Sequence, residues 1–138
     1  MKIVLNYMII SYSVEYAVLG LIYLAKNSGR TIKISEIAEQ ENIPAPFLQK
    51  VFQKLSKAKL VEASVGPQGG FVLAKPANKI TLKNIIFVIE PAIEKHTKCI
   101  NTEILKHKHG KFILNVMPKI YQNHFNFLEK ITLKQIIK

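Results

Sequence analysis

The stretch that decides the fold is residues 32–74, which read IKISEIAEQENIPAPFLQKVFQKLSKAKLVEASVGPQGGFVLA. Its first nine residues have the apolar spacing of a short amphipathic helix. Residues 41–44 (ENIP) follow as a turn, because Pro44 biases Ile43 away from the helical conformation. A second helix is predicted over residues 45–58. Two helices joined by about four residues have the spacing of a helix-turn-helix, whose second helix can enter a DNA major groove.

The predicted helix over 45–58 separates an apolar face from a polar one. Its apolar residues follow the i, i+3, i+4, i+7 rule for one buried face: Leu48, Val51, Phe52 and Leu55. Its opposite face carries hydrogen-bond donors and no carboxylate: Gln49, Lys50, Gln53, Lys54 and Lys57. We expect the three lysines to contact phosphates and the two glutamines to contact base edges.

A β-hairpin is predicted directly after this helix. Residues 61–65 and 71–74 have the alternation of short strands, and the glycine-rich segment between them supplies the positive φ angles of a hairpin loop. The loop is expected to bring its backbone to DNA phosphates through five residues: Gly66, Pro67, Gln68, Gly69 and Gly70. A hairpin in this position is a wing, here spanning residues 61–74. The predicted fold class is therefore mainly α with a small β-hairpin, a winged helix-turn-helix.

The segments around this unit are also predicted as helices. Residues 12–26 have helical spacing before Asn27, and residues 80–90 form a helix capped by Thr81. The phrase ITLKQII at 131–137 nearly repeats ITLKNII at 80–86, which indicates two threonine-capped helix starts.

A long helix near the carboxyl terminus has the spacing of a helix packed on a partner helix. Its apolar seam follows a 4-3-4-3 pattern: Ile113, Met117, Ile120, His124 and Phe127. Pro118 is expected to kink or split it. We divide the chain into a winged helix-turn-helix domain, residues 1–91, and a linker or sensor segment with a dimerisation helix, residues 92–138.

Charge points to a polyanionic partner. The 138 residues hold 20 Lys+Arg against 9 Asp+Glu, a net charge of +11, and Arg30 is the single arginine. Between residues 42 and 89 the only carboxylate is Glu62, against seven lysines. Nucleic acid is the first candidate for such a surface. The alternative is that lysine is simply the habitual surface residue of this chain.

Several classes of function are disfavoured by the motifs that the sequence lacks. It has no phosphate-binding loop, no His-Glu-x-x-His and no nucleophile elbow, so we do not expect an enzyme. The apolar run near the amino terminus is too short for a membrane span and is interrupted by Glu15. A single cysteine excludes an intramolecular disulfide, so a cytoplasmic location without a membrane partner is expected.

Three runs of residues resemble the Rrf-type winged-helix regulators of bacteria. They are YAVLGLIYLAKNSG (16–29), ISEIAEQENIPAPFLQKVFQKLSKAKLV (34–61) and GPQGGFVLAKPANKITLKNII (66–86). That family includes regulators of iron–sulfur cluster assembly, of the response to nitric oxide and of cysteine metabolism. The resemblance implies a homodimer that binds double-stranded DNA, each subunit offering a recognition helix and a wing, with the carboxy-terminal helices paired. The resulting prediction is a homodimeric transcriptional repressor.

Three departures from the family pattern concern DNA contact. Val65 stands where many members have an arginine that enters the minor groove, which an aliphatic side chain cannot replace. Gln49 stands where relatives often have glutamate; an amide pairs with adenine, so a different target sequence is expected. Lys59 stands where relatives usually have a helix-ending glycine, so it either adopts a left-handed conformation or the helix ends differently.

A fourth departure concerns cofactors. Cluster-binding members carry three cysteines before the pairing helix, and Cys99 falls about where the first belongs, but Leu105 and Lys111 occupy the next two places. With one cysteine an iron–sulfur cluster is not expected, and we predict no cofactor. A nonstandard ligand set stays open, drawn from His96, Cys99, His107 and His109.

Two further functions stay open beside the primary one. The winged helix could serve as a protein-interaction module without a specific operator. The protein could also sense metal or redox state through Cys99, whose thiolate nearby lysines would stabilise.

Overall fold

The computed structural model of the protein describes residues 11–98 and 102–138. The helices, in chain order, are α1 (Tyr12–Lys26), α2 (Ile34–Gln40), α3 (Ala45–Lys57), α4 (Leu82–Ile89), α5 (Pro91–Lys98), α6 (Gly110–Lys130) and α7 (Leu133–Ile136). The strands are β1 (Val61–Ser64) and β2 (Gly70–Leu73), and short 3₁₀ helices occupy Ala77–Lys79 and Thr102–Lys106. The predicted fold class, mainly helical with one small hairpin, is confirmed.

The turn between α2 and α3 is closed by a left-handed residue. Asn42 has φ +53°, and the Ile43 N–H donates to the Ala38 carbonyl at 2.9 Å. Ile43 is then buried in the core, which fixes the angle at which α3 leaves the turn.

The end of α3 uses the same device at Lys59. This residue has φ +57°, and the Leu60 N–H donates to the Leu55 carbonyl at 2.9 Å. Of the two possibilities predicted for Lys59, the structure has the left-handed one.

The wing is an antiparallel hairpin joined to a third piece of extended chain. Val61 pairs with Leu73 and Ser64 with Gly70. The Ile32 N–H donates to the Phe71 carbonyl at 3.0 Å, and the Phe71 N–H donates to the Ile32 carbonyl at 2.8 Å. The residue that precedes α2 by two positions is therefore bonded to the wing.

The carboxy-terminal segment packs back on the winged helix. The two ITL segments pair across an antiparallel bridge between Thr81 and Thr132, and each threonine forms a capping box at the start of its helix. Phe125, Leu128 and Leu133 join the same buried core as α1, α3 and α4. Buried residues on both sides of residue 91 thus share one core, and the predicted division at that position stays a prediction.

Two features of the second half refine the prediction. The segment predicted as a linker or sensor, which begins at residue 92, contains most of α5 and a 3₁₀ helix. The helix α6 runs unbroken through Pro118, so of the predicted kink or split the structure excludes the split. Within the described ranges, no helix has the length and apolar content needed to cross a lipid bilayer.

Candidate DNA-binding surface

The helix α3 presents its polar face to solvent. The predicted inward residues Leu48, Val51, Phe52 and Leu55 are all buried. The predicted contact residues are all exposed: Gln49, Lys50, Gln53, Lys54 and Lys57. The helix has no acidic residue along its length, so no carboxylate of α3 neutralises these lysines.

Lys54 differs from the other four in having a partner inside the protein. Its Nζ donates a hydrogen bond to the Ile89 carbonyl oxygen at 3.0 Å. Ile89 ends α4, where carbonyl groups lack helical partners and the helix dipole favours a cation. In the described part of the chain, the other predicted contact residues make no side-chain hydrogen bond or ion pair: Gln49, Lys50, Gln53 and Lys57.

The wing loop requires glycine for two different reasons, a positive φ at Gly66 and the close approach of other backbone at Gly69 and Gly70. Gly66 has φ +111°, which side-chain-bearing residues rarely adopt. A Cβ atom at Gly69 would lie 2.4 Å from the Ser64 carbonyl oxygen, so the loop closes only over a bare backbone. The predicted positive φ is thus found at Gly66, whereas Gly69 permits close approach. Val65, beside this loop, is fully exposed.

Two contacts fix the wing relative to the helices. The rings of Phe52 on α3 and Phe71 on β2 meet edge to face, with centroids 5.0 Å apart. The Thr31 hydroxyl donates to the Gln68 carbonyl at 2.9 Å, which ties the loop to the segment before α2. Recognition helix and wing are therefore held by direct packing and by hydrogen bonds.

The single arginine acts within the protein. The Arg30 guanidinium donates to both carboxylate oxygens of Glu36, at 3.0 and 2.5 Å, and the Tyr23 hydroxyl donates to Glu36 Oε1 at 2.9 Å. The hydrogen bonds from Arg30, then from Tyr23, lower the pKa of Glu36 from 4.5 to about 2. The cluster joins α1 to α2 next to Thr31. Sequence reasoning missed it, because a spacing of six residues across a helix start gives no recognisable signal.

The donor set does not fit a cluster held by three cysteines. The whole chain has one cysteine, and the described residues contain no group of three or more His, Cys, Asp or Glu side chains able to hold a metal ion. Leu105, His107 and His109 are exposed, while Cys99 and the side chain of His96 lie outside what the structure describes. A cluster of the kind that three cysteine thiolates hold therefore has too few ligands in this chain.

A helix that exposes a face of lysines and amides and packs against a wing with a glycine-rich loop defines a winged-helix DNA-binding protein. The sequence model of the Rrf2 family, described as iron-dependent transcriptional regulators, matches residues 10–138. The chain belongs to the Rrf2 family.

Relatives and solved structures agree with this assignment. The chain is 44% identical over 108 residues to a protein of Aquifex aeolicus named as an HTH-type transcriptional regulator, covering 78% of this chain and 72% of that one. It is 30% identical over 129 residues to the HTH-type transcriptional regulator IscR of Cereibacter sphaeroides, covering 90% and 83%. Its fold is similar to CymR, the global cysteine regulator of B. subtilis, with TM-score 0.75, 27% identity and coverage of 93% and 95%. For T. potens IscR the TM-score is 0.71, at 26% identity and coverage of 93% and 85%.

The predicted resemblance and class of function are confirmed. The protein is a DNA-binding transcriptional regulator of the helix-turn-helix type, in a family of regulators rather than enzymes.

Proposed function

We propose that the protein is a homodimeric repressor that binds a near-palindromic operator. Each subunit places α3 in a major groove and lays its wing against the flanking backbone. The observation that carries this proposal is the exposed face of α3, with its lysines and amides and no carboxylate. Repression then follows from occlusion, because a dimer on two successive major grooves covers the promoter that contains them. The proposal places the protein in the cytoplasm, where bacterial DNA is found.

The residues of the surface take different roles in this proposal. Lys50 and Lys57 contact phosphates, since a flexible point charge positions a protein more than it specifies sequence. Gln49 and Gln53 contact base edges, where an amide pairs with adenine. The backbone of the wing loop, Gly66 to Gly70, approaches the phosphates. Lys54 holds α3 on α4 through Ile89 and reaches a phosphate only by leaving that bond.

A homodimer is supported by the apolar seam of α6. Ile113, Met117, Ile120 and Phe127 are all exposed in the single chain, by 38 to 63%. They repeat at the spacing of a helix that packs on another helix. A second copy of the chain, presenting the same seam, would cover them.

The salt dependence of DNA binding tests the surface. Full-length protein selects its preferred duplex from a random library, and binding of that duplex is measured across a range of salt concentrations. If K50A and K57A each remove one phosphate contact, each should flatten the slope of log K against log salt by about 0.9 and weaken binding to all duplexes. K134A, which removes an exposed lysine from α7, should keep the wild-type slope.

Two results would overturn the proposal. Unchanged salt slopes in both K50A and K57A would show that Lys50 and Lys57 do not contact phosphates. Equal binding to every duplex, together with capture of a protein partner, would instead favour an interaction module.

A further inference from the structure

We infer that the first turn of α3 recognises thymine in the major groove through the C5-methyl group, with Phe47 as the principal contact. The inference rests on the proposed function, because it requires α3 to lie in the groove. Beyond the proposed function, the inference states which base the amino-terminal end of α3 recognises and through which chemical group.

The leading end of α3 is apolar and exposed. Residues 44–47 read Pro-Ala-Pro-Phe, and all four are exposed. Phe47 is 59% exposed, whereas its neighbour Leu48 is completely buried. The N-cap residue Pro44 provides no side-chain hydrogen bond. No side chain of this turn can therefore hydrogen-bond to a base.

The position of Phe47 separates it from the other exposed apolar residues. Most of the large exposed apolar side chains in the described ranges lie on α6, α1, α7 or the 3₁₀ helix before α6. The two exceptions are Phe47 on α3 and Val65 beside the wing loop. Phe47 does not belong to the α6 seam, so pairing of that seam in a dimer does not explain why Phe47 is exposed.

The backbone that carries Phe47 is held firmly. Pro44 has φ −59°, its carbonyl accepts the N–H groups of Phe47 at 3.1 Å and of Leu48 at 3.2 Å, and Pro46 restricts the turn further. A ring on such a support loses little backbone freedom on binding.

The major groove offers one apolar group at base edges, the C5-methyl of thymine. In helix-turn-helix proteins the amino-terminal residues of the recognition helix are those that contact base edges. An apolar leading turn therefore favours thymine at the bases it faces, whereas amides such as Gln49 in the following turn favour adenine. Together they indicate half-sites rich in A·T pairs.

The test replaces thymine by deoxyuridine, which lacks only the methyl group. Each thymine of the duplex selected by the full-length protein is exchanged in turn, and binding is measured for wild type, F47A, F47L and K57A. For wild type, one or two exchanges per half-site should weaken binding about fourfold each, the value of burying one methyl group. F47A should bind both forms equally, and F47L should keep part of the preference. K57A should bind both forms more weakly by the same factor and keep their ratio.

Two results overturn the inference alone: a selected duplex whose binding no deoxyuridine exchange weakens, or an F47A variant that retains the wild-type preference. Selection of half-sites that contain no thymine would also overturn the inference. Failure of the wild-type protein to select any duplex would instead count against the proposed function. Because the ring of Phe47 is exposed, F47A is expected to fold, and circular dichroism checks this.

Discussion

At the scale of single residues, Lys50 and Lys54 lie one turn apart on α3 and use their charges differently. Lys54 donates to the Ile89 carbonyl at the end of α4, while Lys50 has no such partner among the described residues. The bond lies where the helix dipole of α4 is negative. One lysine thus stabilises the position of the recognition helix, and the other is free to contact DNA.

We expect this difference to appear in stability. K54A should lower the free energy of unfolding by about 1 kcal/mol, the range of a partly exposed hydrogen bond from a charged group. K50A should stay within about 0.5 kcal/mol of wild type. Urea unfolding followed by circular dichroism measures both. Equal stability of the two variants would show that the bond to Ile89 contributes nothing.

Glu36 makes the stability of the α1–α2 junction depend on pH. Its pKa is lowered from 4.5 to about 2, so the folded protein favours the ionised carboxylate that Arg30 and Tyr23 bind. This stabilisation is complete above pH 4.5 and is lost as the pH falls toward 2. The difference in unfolding free energy between wild type and E36Q should therefore be largest at pH 5 and shrink on acidification.

Nuclear magnetic resonance titration provides a separate check on this cluster. In R30A the pKa of Glu36 should rise toward 4.5. A wild-type value that is already near 4.5 would contradict the hydrogen bonds from the guanidinium.

At the scale of elements, the end of α3 has a residue in an unfavourable conformation. Lys59 adopts φ +57°, where a side chain costs about 1 kcal/mol and glycine costs nothing. Because Lys59 is exposed, K59G should raise the free energy of unfolding by up to about 1 kcal/mol. K50G, in the interior of the same helix, should lower it by about 1 kcal/mol. Chemical unfolding of both variants tests the sign, and destabilisation by K59G would be the contrary result.

The elements that the sequence predicts well are those with local signals. Helix α3 is predicted over 45–58 and ends at Lys57, because its apolar spacing and its prolines are read within one segment. The threonine caps of α4 and α7 are local in the same way. In the wing, the alternation indicates the strands correctly, but only Val61 of β1 is buried, since the hairpin extends away from the core.

Contacts between distant segments are not predictable from the same signals. Lys54 and Ile89 are 35 residues apart, and Thr31 and Gln68 are 37 apart. Such pairs form only when packing of the core brings their segments together. The exposed polar residues of α3 can therefore be predicted as a set, but the one directed toward the protein cannot. The roles of the individual residues in DNA contact stay predictions.

At the scale of the whole molecule, α6 serves two different environments along its length. Near its end, Phe125 and Leu128 are buried in the core of their own chain. Toward its start, Ile113, Met117 and Ile120 repeat at similar spacing but remain exposed. The seam formed by these three residues and the exposed Phe127 is therefore separate from the pair that is buried within one chain, which is the arrangement expected of a helix that also packs on a second subunit.

Charge placed in that seam should separate the subunits and weaken operator binding. We expect wild type to sediment as a dimer, twice the 15.7 kDa chain mass, and M117E/I120E to sediment as a monomer. K119E, on the same helix, should remain dimeric, which controls for added negative charge. Without the tether between two half-sites, the monomer should bind the full operator at least about a hundredfold more weakly, but a single half-site almost as well.

Monomeric wild type at micromolar concentration, or a double variant that binds the full operator like wild type, would contradict the dimer. Both substituted residues are exposed in the single chain, so circular dichroism should show the fold intact and attribute the weaker binding to assembly.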